Sequence, residues 1–132
     1  MKKGFLTIAS AVDGKENTFM YEAEIDLSAF SGVLRYEENG TRVELRFTKD
    51  EVRIDRKGDY GLSLCLKEGE RTEGTLSVAG ADGTIWVRAS RVGYSIGKNS
   101  ILASLKYSMI FKDEIQEMSL RIKASCDNSE EK

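Results

Sequence analysis

The stretch Ile101-Leu102-Ala103-Ser104-Leu105-Lys106-Tyr107-Ser108-Met109-Ile110-Phe111 puts every second side chain, from Ile101 to Phe111, on one apolar face. Successive side chains of an extended chain point to opposite sides, so a period of two marks a strand with one buried face. After Lys112-Asp113-Glu114 the rhythm returns: Met118, Leu120, Ile122 and Ala124 alternate with Glu117, Ser119, Arg121 and Lys123. Two alternating runs joined by a short polar link read as an antiparallel hairpin.

The same rhythm extends toward the N-terminus. Phe19, Tyr21, Ala23, Ile25 and Leu27 alternate with Thr18, Met20, Glu22, Glu24 and Asp26, and Val43, Leu45 and Phe47 alternate with Arg42, Glu44 and Arg46. No convincing helical period of 3.6 runs over ten or more residues. Turn sequences such as Glu38-Asn39-Gly40 and Ala81-Asp82-Gly83 separate the apolar runs; Asn-Gly and Asp-Gly suit tight hairpins because both residues tolerate positive φ. Strands are expected at 5–12, 17–29, 32–38, 41–48, 51–57, 60–67, 72–79, 84–92, 100–112 and 115–125. About ten closely spaced strands with short links predict an all-β protein: a single antiparallel up-and-down β-barrel, with two packed sheets as the alternative. The absence of proline agrees with uninterrupted ladders. The 132 residues fit one domain, read as a barrel over 1–125 and an acidic flexible tail over 126–132.

Composition removes several functions. There is no histidine, hence no Ser-His or Cys-His pair and no imidazole metal ligand. The two cysteines, Cys65 and Cys126, are too few for a Cys₄ zinc site or a disulfide framework. The expectation is a noncatalytic protein with no metal and no cofactor. Asp127, Glu130 and Glu131 against Lys132 account for the net charge of −2, leaving 19 bases and 19 acids in residues 1–125. A neutral body argues against nonspecific binding to nucleic acid or to an anionic membrane. No apolar run approaches the roughly 20 residues of a membrane-spanning helix. Met1-Lys2-Lys3 followed by Gly4 to Ala11 imitates a secretion signal, but the apolar stretch is short. A first strand is the better reading, and with it a cytoplasmic location and reduced cysteines.

Four features recur in order along the chain: Tyr36-Glu37-Glu38 in an early strand; Val52-Arg53-Ile54-Asp55-Arg56-Lys57-Gly58; Gly83 opening the strand 84–92; and Tyr107 in a long late strand. This ordered set, across roughly 20–125, resembles the YwiB-like family of small bacterial proteins of unknown function. The segment Ser77 to Gly83 departs from the pattern, lacking an aromatic before the glycine turn. The resemblance implies a calycin-type, lipocalin-like barrel. It also pairs the first two motifs, which nominates Glu37 as the partner of Arg56. It implies no activity.

Arg56 is in phase with Val52 and Ile54, which puts a guanidinium on the inward face, where it requires a partner. Two roles are open: a structural ion pair whose head reaches water at the barrel mouth, or recognition of an anionic ligand. Residues 83–112 hold Arg88, Arg91, Lys98, Lys106 and Lys112 with no acid, interleaved with Trp86, Tyr94, Tyr107 and Phe111. That mixture suits a stacked, phosphorylated ligand, or it is merely the basic outside of neighbouring strands. Trp86 is in phase with Arg88; it packs in the core, stacks on that guanidinium or lines a pocket. The expected function is a small amphipathic or anionic ligand held in the barrel interior, with Arg56 and Arg88 meeting its charge, Glu37 paired to Arg56, and Tyr107 and Trp86 in support. The alternative is a protein- or RNA-interaction domain using the outer face of 83–112.

Overall fold

A computed structural model describes residues 1–126. Its ten strands are β1 (Lys2–Val12), β2 (Lys15–Leu27), β3 (Gly32–Glu38), β4 (Thr41–Phe47), β5 (Val52–Lys57), β6 (Tyr60–Leu66), β7 (Arg71–Val78), β8 (Ala81–Ile96), β9 (Ser100–Phe111) and β10 (Glu114–Cys126). Each pairs antiparallel with the next, and β1 pairs with β10 to close a single barrel. The barrel expected from the rhythm is therefore the fold, and the two-sheet alternative is not. Two limits differ. β8 continues to Ile96, and Cys126, expected in the tail, ends β10 as a buried residue. The rest of the expected acidic tail, 127–132, lies outside the described residues.

Most hairpin tips follow their sequences, but Ala81-Asp82-Gly83, expected as a turn, opens β8, and the tip lies at Ala79-Gly80 instead. Asp13-Gly14, Asn39-Gly40 and Ala79-Gly80 have positive φ at both residues, the conformation that lets two-residue turns match the twist of the strands they join. Gly4 serves a different purpose at the closing seam: a Cβ there would collide with the Ser125 carbonyl of β10.

One end of the barrel is solid. Ile25, Leu34, Phe47, Val52, Leu66 and Ile101 are at most 1% exposed and fill the half where β2–β3, β4–β5, β6–β7 and β8–β9 are linked. Tyr94 closes it: its hydroxyl lies 2.7 Å from the Thr48 carbonyl, and its ring meets Phe47 edge-on at 5.5 Å.

The other end is uneven. β3, β4 and β5 are six or seven residues long, whereas β2 has 13 and β9 has 12. β2 pairs with β3 only from Ala23 to Leu27, so Lys15 to Glu22 pair with β1 alone. The rim thus dips along the short strands β3–β6 and stands higher at β2 and β8–β10. On the outside, a groove of about 1360 Å³ follows the divergence, lined by Phe5, Met20, Glu22, Arg35, Glu37 and Arg42 among others.

Candidate functional site at the notched mouth

Paired residues run round the barrel from Ala23 through Tyr36, Val43, Arg56 and Leu62 to Leu76, all on the inward face. Arg56 is thus turned into the barrel, as its phase with Val52 and Ile54 requires, and stands at the dip in the rim. Its Nη2 lies 2.9 Å from Glu38 Oε2. The other oxygen of Glu38 accepts a hydrogen bond of 3.0 Å from the Tyr21 hydroxyl. Tyr21 stacks on Tyr36 at 4.9 Å, and the Arg56 guanidinium lies 5.7 Å from the Tyr60 ring centre.

The partner of Arg56 is therefore Glu38, not Glu37. Tyr36 points inward, so the next residue must point out and the one after it in. Glu37 stands on the outer face, 3.9 Å from Arg42 and well exposed. Two more expectations are corrected by the same parity. Ile85, Val87 and Ala89 are buried, so Trp86 and Arg88 between them face solvent. Trp86 is not core: it is 38% exposed and lies under the guanidinium of Arg71, at 4.3 Å, rather than that of Arg88. Neither Trp86 nor Arg88 borders the interior. Tyr107 does, and it is buried. Glu38 and Tyr21 were missed, although their phase with Leu34, Tyr36 and Ala23 signals them.

The cluster is electrostatically tight. Burial raises the pKa of Tyr36 and of Tyr107 far above the ordinary phenol value, while the Arg56 charge pulls each back down. Both phenols therefore sense the same guanidinium. Burial also raises Tyr21, helped by its bond to the Glu38 carboxylate. Burial works to lower the Arg56 pKa, but Tyr60 and Glu38 outweigh it and hold the cation firmly. One atom is left over: Arg56 Nε is buried without a hydrogen-bond partner.

Above this cluster the inward residues are apolar and only half-buried: Leu62, Leu76, Met109, Phe111 and Met118. Phe111 lies against the inward side of Gly83, where a Cβ would stand 3.3 Å from its ring. The mouth thus combines one cation, one carboxylate and several phenols at the dip with an apolar lining on the higher wall. Such a surface has somewhere to put both ends of an amphipathic molecule.

The remaining reactive candidates are quiet. Cys65 donates its thiol to Glu51 Oε2 at 2.9 Å, and burial, with that carboxylate, pushes its pKa up to about 11. No group of three or more Cys, Asp or Glu among the described residues is placed to hold a metal ion. No helix of the described residues is long and apolar enough to cross a membrane.

The crystal structure of the ywiB protein from Bacillus subtilis is similar over 96% of this chain and 92% of that one, with a TM-score of 0.77 and 13% sequence identity. At that identity the likeness is one of fold, and the closed ten-strand barrel fits a calycin-like fold. No curated protein matches the chain. The family model described as "Domain of unknown function (DUF1934)" matches residues 7–122. That span reaches from the first strand into the last, and the chain belongs to the DUF1934 family.

Proposed function

We propose that the protein is a noncatalytic binding module that takes a small amphipathic anion at its notched mouth. The buried Arg56 Nε–H, left unbonded beneath a half-exposed apolar wall, carries this reading. A buried donor without an acceptor costs free energy of about 1–3 kcal/mol, a penalty that a carboxylate or phosphate oxygen removes. Glu38 engages only Nη2, so the guanidinium retains donors for a second acid group. The phenols supply further donors, and their raised pKa values keep the protons on them at neutral pH. Leu62, Met109, Phe111 and Met118 offer the apolar tail a surface to cover.

The reading includes no reaction. The chain lacks histidine, and the Cys65 thiol is held protonated. It also places the protein in the cytoplasm, in accord with two cysteines that are both free.

Thermal unfolding with straight-chain carboxylates and with alcohols of equal length tests the proposal. A ligand present at about 100 times its Kd stabilises the fold by about 2.7 kcal/mol. The acids are expected to raise the midpoint more than the alcohols, and Arg56→Lys, which keeps the charge but loses the fork, is expected to remove most of the difference. Equal responses to acid and alcohol, or none to either, reject the anion-binding mouth.

A further inference from the structure

A second surface lies on the outside of the barrel, away from the mouth. Arg71 of β7, Arg88 and Arg91 of β8, Lys106 of β9, and Arg121 and Lys123 of β10 all point outward and are exposed. Arg71 stands directly across from Arg88, and Arg91 directly across from Lys106. Like charges opposite each other in a sheet are destabilising. Among the described residues, none of these six cations forms an ion pair, whereas Arg35, Arg42, Arg46 and Arg53 on β3–β5 all do. Three acids border the cations: Glu117 of β10 accepts from Ser108 at 2.8 Å in the row of Arg88, Glu73 of β7 stands across from Trp86, and Asp82 of β8 accepts from Ser77 at 2.6 Å nearer the hairpin tip.

The backbone is arranged to make this surface. Arg88 and Arg91 are three apart and would face opposite sides of a regular strand. A bulge between Ala89 and Arg91 breaks the alternation, so Ser90 and Arg91 both face out while Ala89 and Val92 face in. The loop after β6 clamps the bulge. Gly69 N–H donates to the Ala89 carbonyl at 2.8 Å, and the Val92 N–H donates to Glu68 Oε1 at 3.0 Å. Without the bulge Arg91 would point into the core instead of standing beside Lys106. Bulges re-aim side chains in this way and gather near functional sites.

We infer that this face binds the sugar-phosphate backbone of a single-stranded nucleic acid. Alternate residues of one strand stand about 6.6 Å apart and neighbouring strands about 4.8 Å, so the cations form a grid along which an extended phosphate chain can run. Serines interleave with them: Ser104 across from Arg121 and Ser119 across from Lys106. Their hydroxyls can donate to phosphate oxygens beside the arginines, whereas the Ser108 hydroxyl, across from Arg88, is given to Glu117. At the flank, the Arg71 guanidinium on Trp86 presents a flat cationic plate. An unstacked base can lie on such a plate, which is why the partner is a single strand rather than a duplex or an acidic protein. The neutral charge of residues 1–125 does not oppose this, because the arginines on β3–β5 are paired locally and, among the described residues, the six cations of β7–β10 are not.

The test is fluorescence anisotropy of labelled oligo-dT and oligo-U at low salt, with poly-glutamate as the competing polyanion. Both oligomers are expected to bind, the tighter one identifying DNA or RNA as the natural form. Engagement of all six cations gives a slope of log K against log salt of about −4. Arg91→Glu/Lys106→Glu and Arg121→Glu/Lys123→Glu are expected to weaken binding at least tenfold, and Arg42→Glu on the opposite side to leave it unchanged. Trp86→Ala is expected to weaken both oligomers while the salt slope stays the same. Absence of binding, indifference to the charge reversals, or equally tight binding of poly-glutamate overturns the inference. None of these substitutions touches Arg56, so the mouth stands or falls separately.

Discussion

Arg56 and Glu38 each keep about a quarter of their side-chain surface in contact with solvent, 23% and 26%. Breaking a fully buried pair by removing one member costs about 3–5 kcal/mol, and exposed pairs are worth about 0–1 kcal/mol. Arg56→Met, which leaves Glu38 with only the Tyr21 hydroxyl, is accordingly expected to cost about 2 kcal/mol in urea unfolding. Adding Glu38→Gln should recover part of that loss, since the stranded charge disappears. A double variant no better than the single would show that the arginine acts through its hydrocarbon stem instead. The inward direction of Arg56 was legible in the sequence, because Val52 and Ile54 set the phase. The choice of Glu37 was not a failure of that rhythm. Counting by twos from Leu34 and Tyr36 arrives at Glu38, whereas a resemblance to a motif carries no strand parity and does not separate Glu37 from Glu38. Trp86 shows the same parity: it is out of phase with Ile85 and Val87, and so it faces solvent despite its aromatic character.

Among the elements, strand limits were readable to within about three residues because alternation and turn residues agree at nearly every link. β8 is the exception. Arg88-Ala89-Ser90-Arg91 interrupts the alternation, and a run that loses its rhythm looks like a strand end. Only the pairing partner distinguishes an end from a bulge, and that partner is distant in sequence. The seam between β1 and β10 was likewise invisible, since no local signal says which strands close a barrel. Glycine substitution probes it. Gly4→Ala drives a methyl group into the β10 backbone and is expected to destabilise by about 3 kcal/mol, the upper range for overpacking. Gly93→Ala, where a Cβ meets nothing within 4 Å, is expected to be neutral or slightly stabilising. Thermal unfolding of the two variants side by side checks the contrast; similar midpoints would mean that the seam yields without cost.

For the molecule as a whole, alkaline pH is the informative axis. Tyr36 and Tyr107 have folded-state pKa values raised by burial, so the folded chain holds their protons after the unfolded chain has released them. The unfolded state then binds fewer protons, and stability falls as pH rises. The contribution is complete below the unfolded tyrosine value of about 10 and is lost progressively above it. Denaturation midpoints are expected to be flat from neutral pH to about 9 and to drop steeply beyond 10. Tyr36→Phe should soften that drop, and an unchanged profile would detach Tyr36 from the alkaline transition.

A closed barrel leaves no strand margin bare along most of its circumference, yet Lys15 to Glu22 of β2 have a neighbour on one flank only. Their peptide groups on the other flank have no strand partner and are available to an extended polypeptide that approaches. Lys15, Glu16 and Glu22, charged and exposed along this margin, act as wardens against uncontrolled polymerisation. Neutralising them would turn the cylinder into a template for intermolecular cross-strand growth.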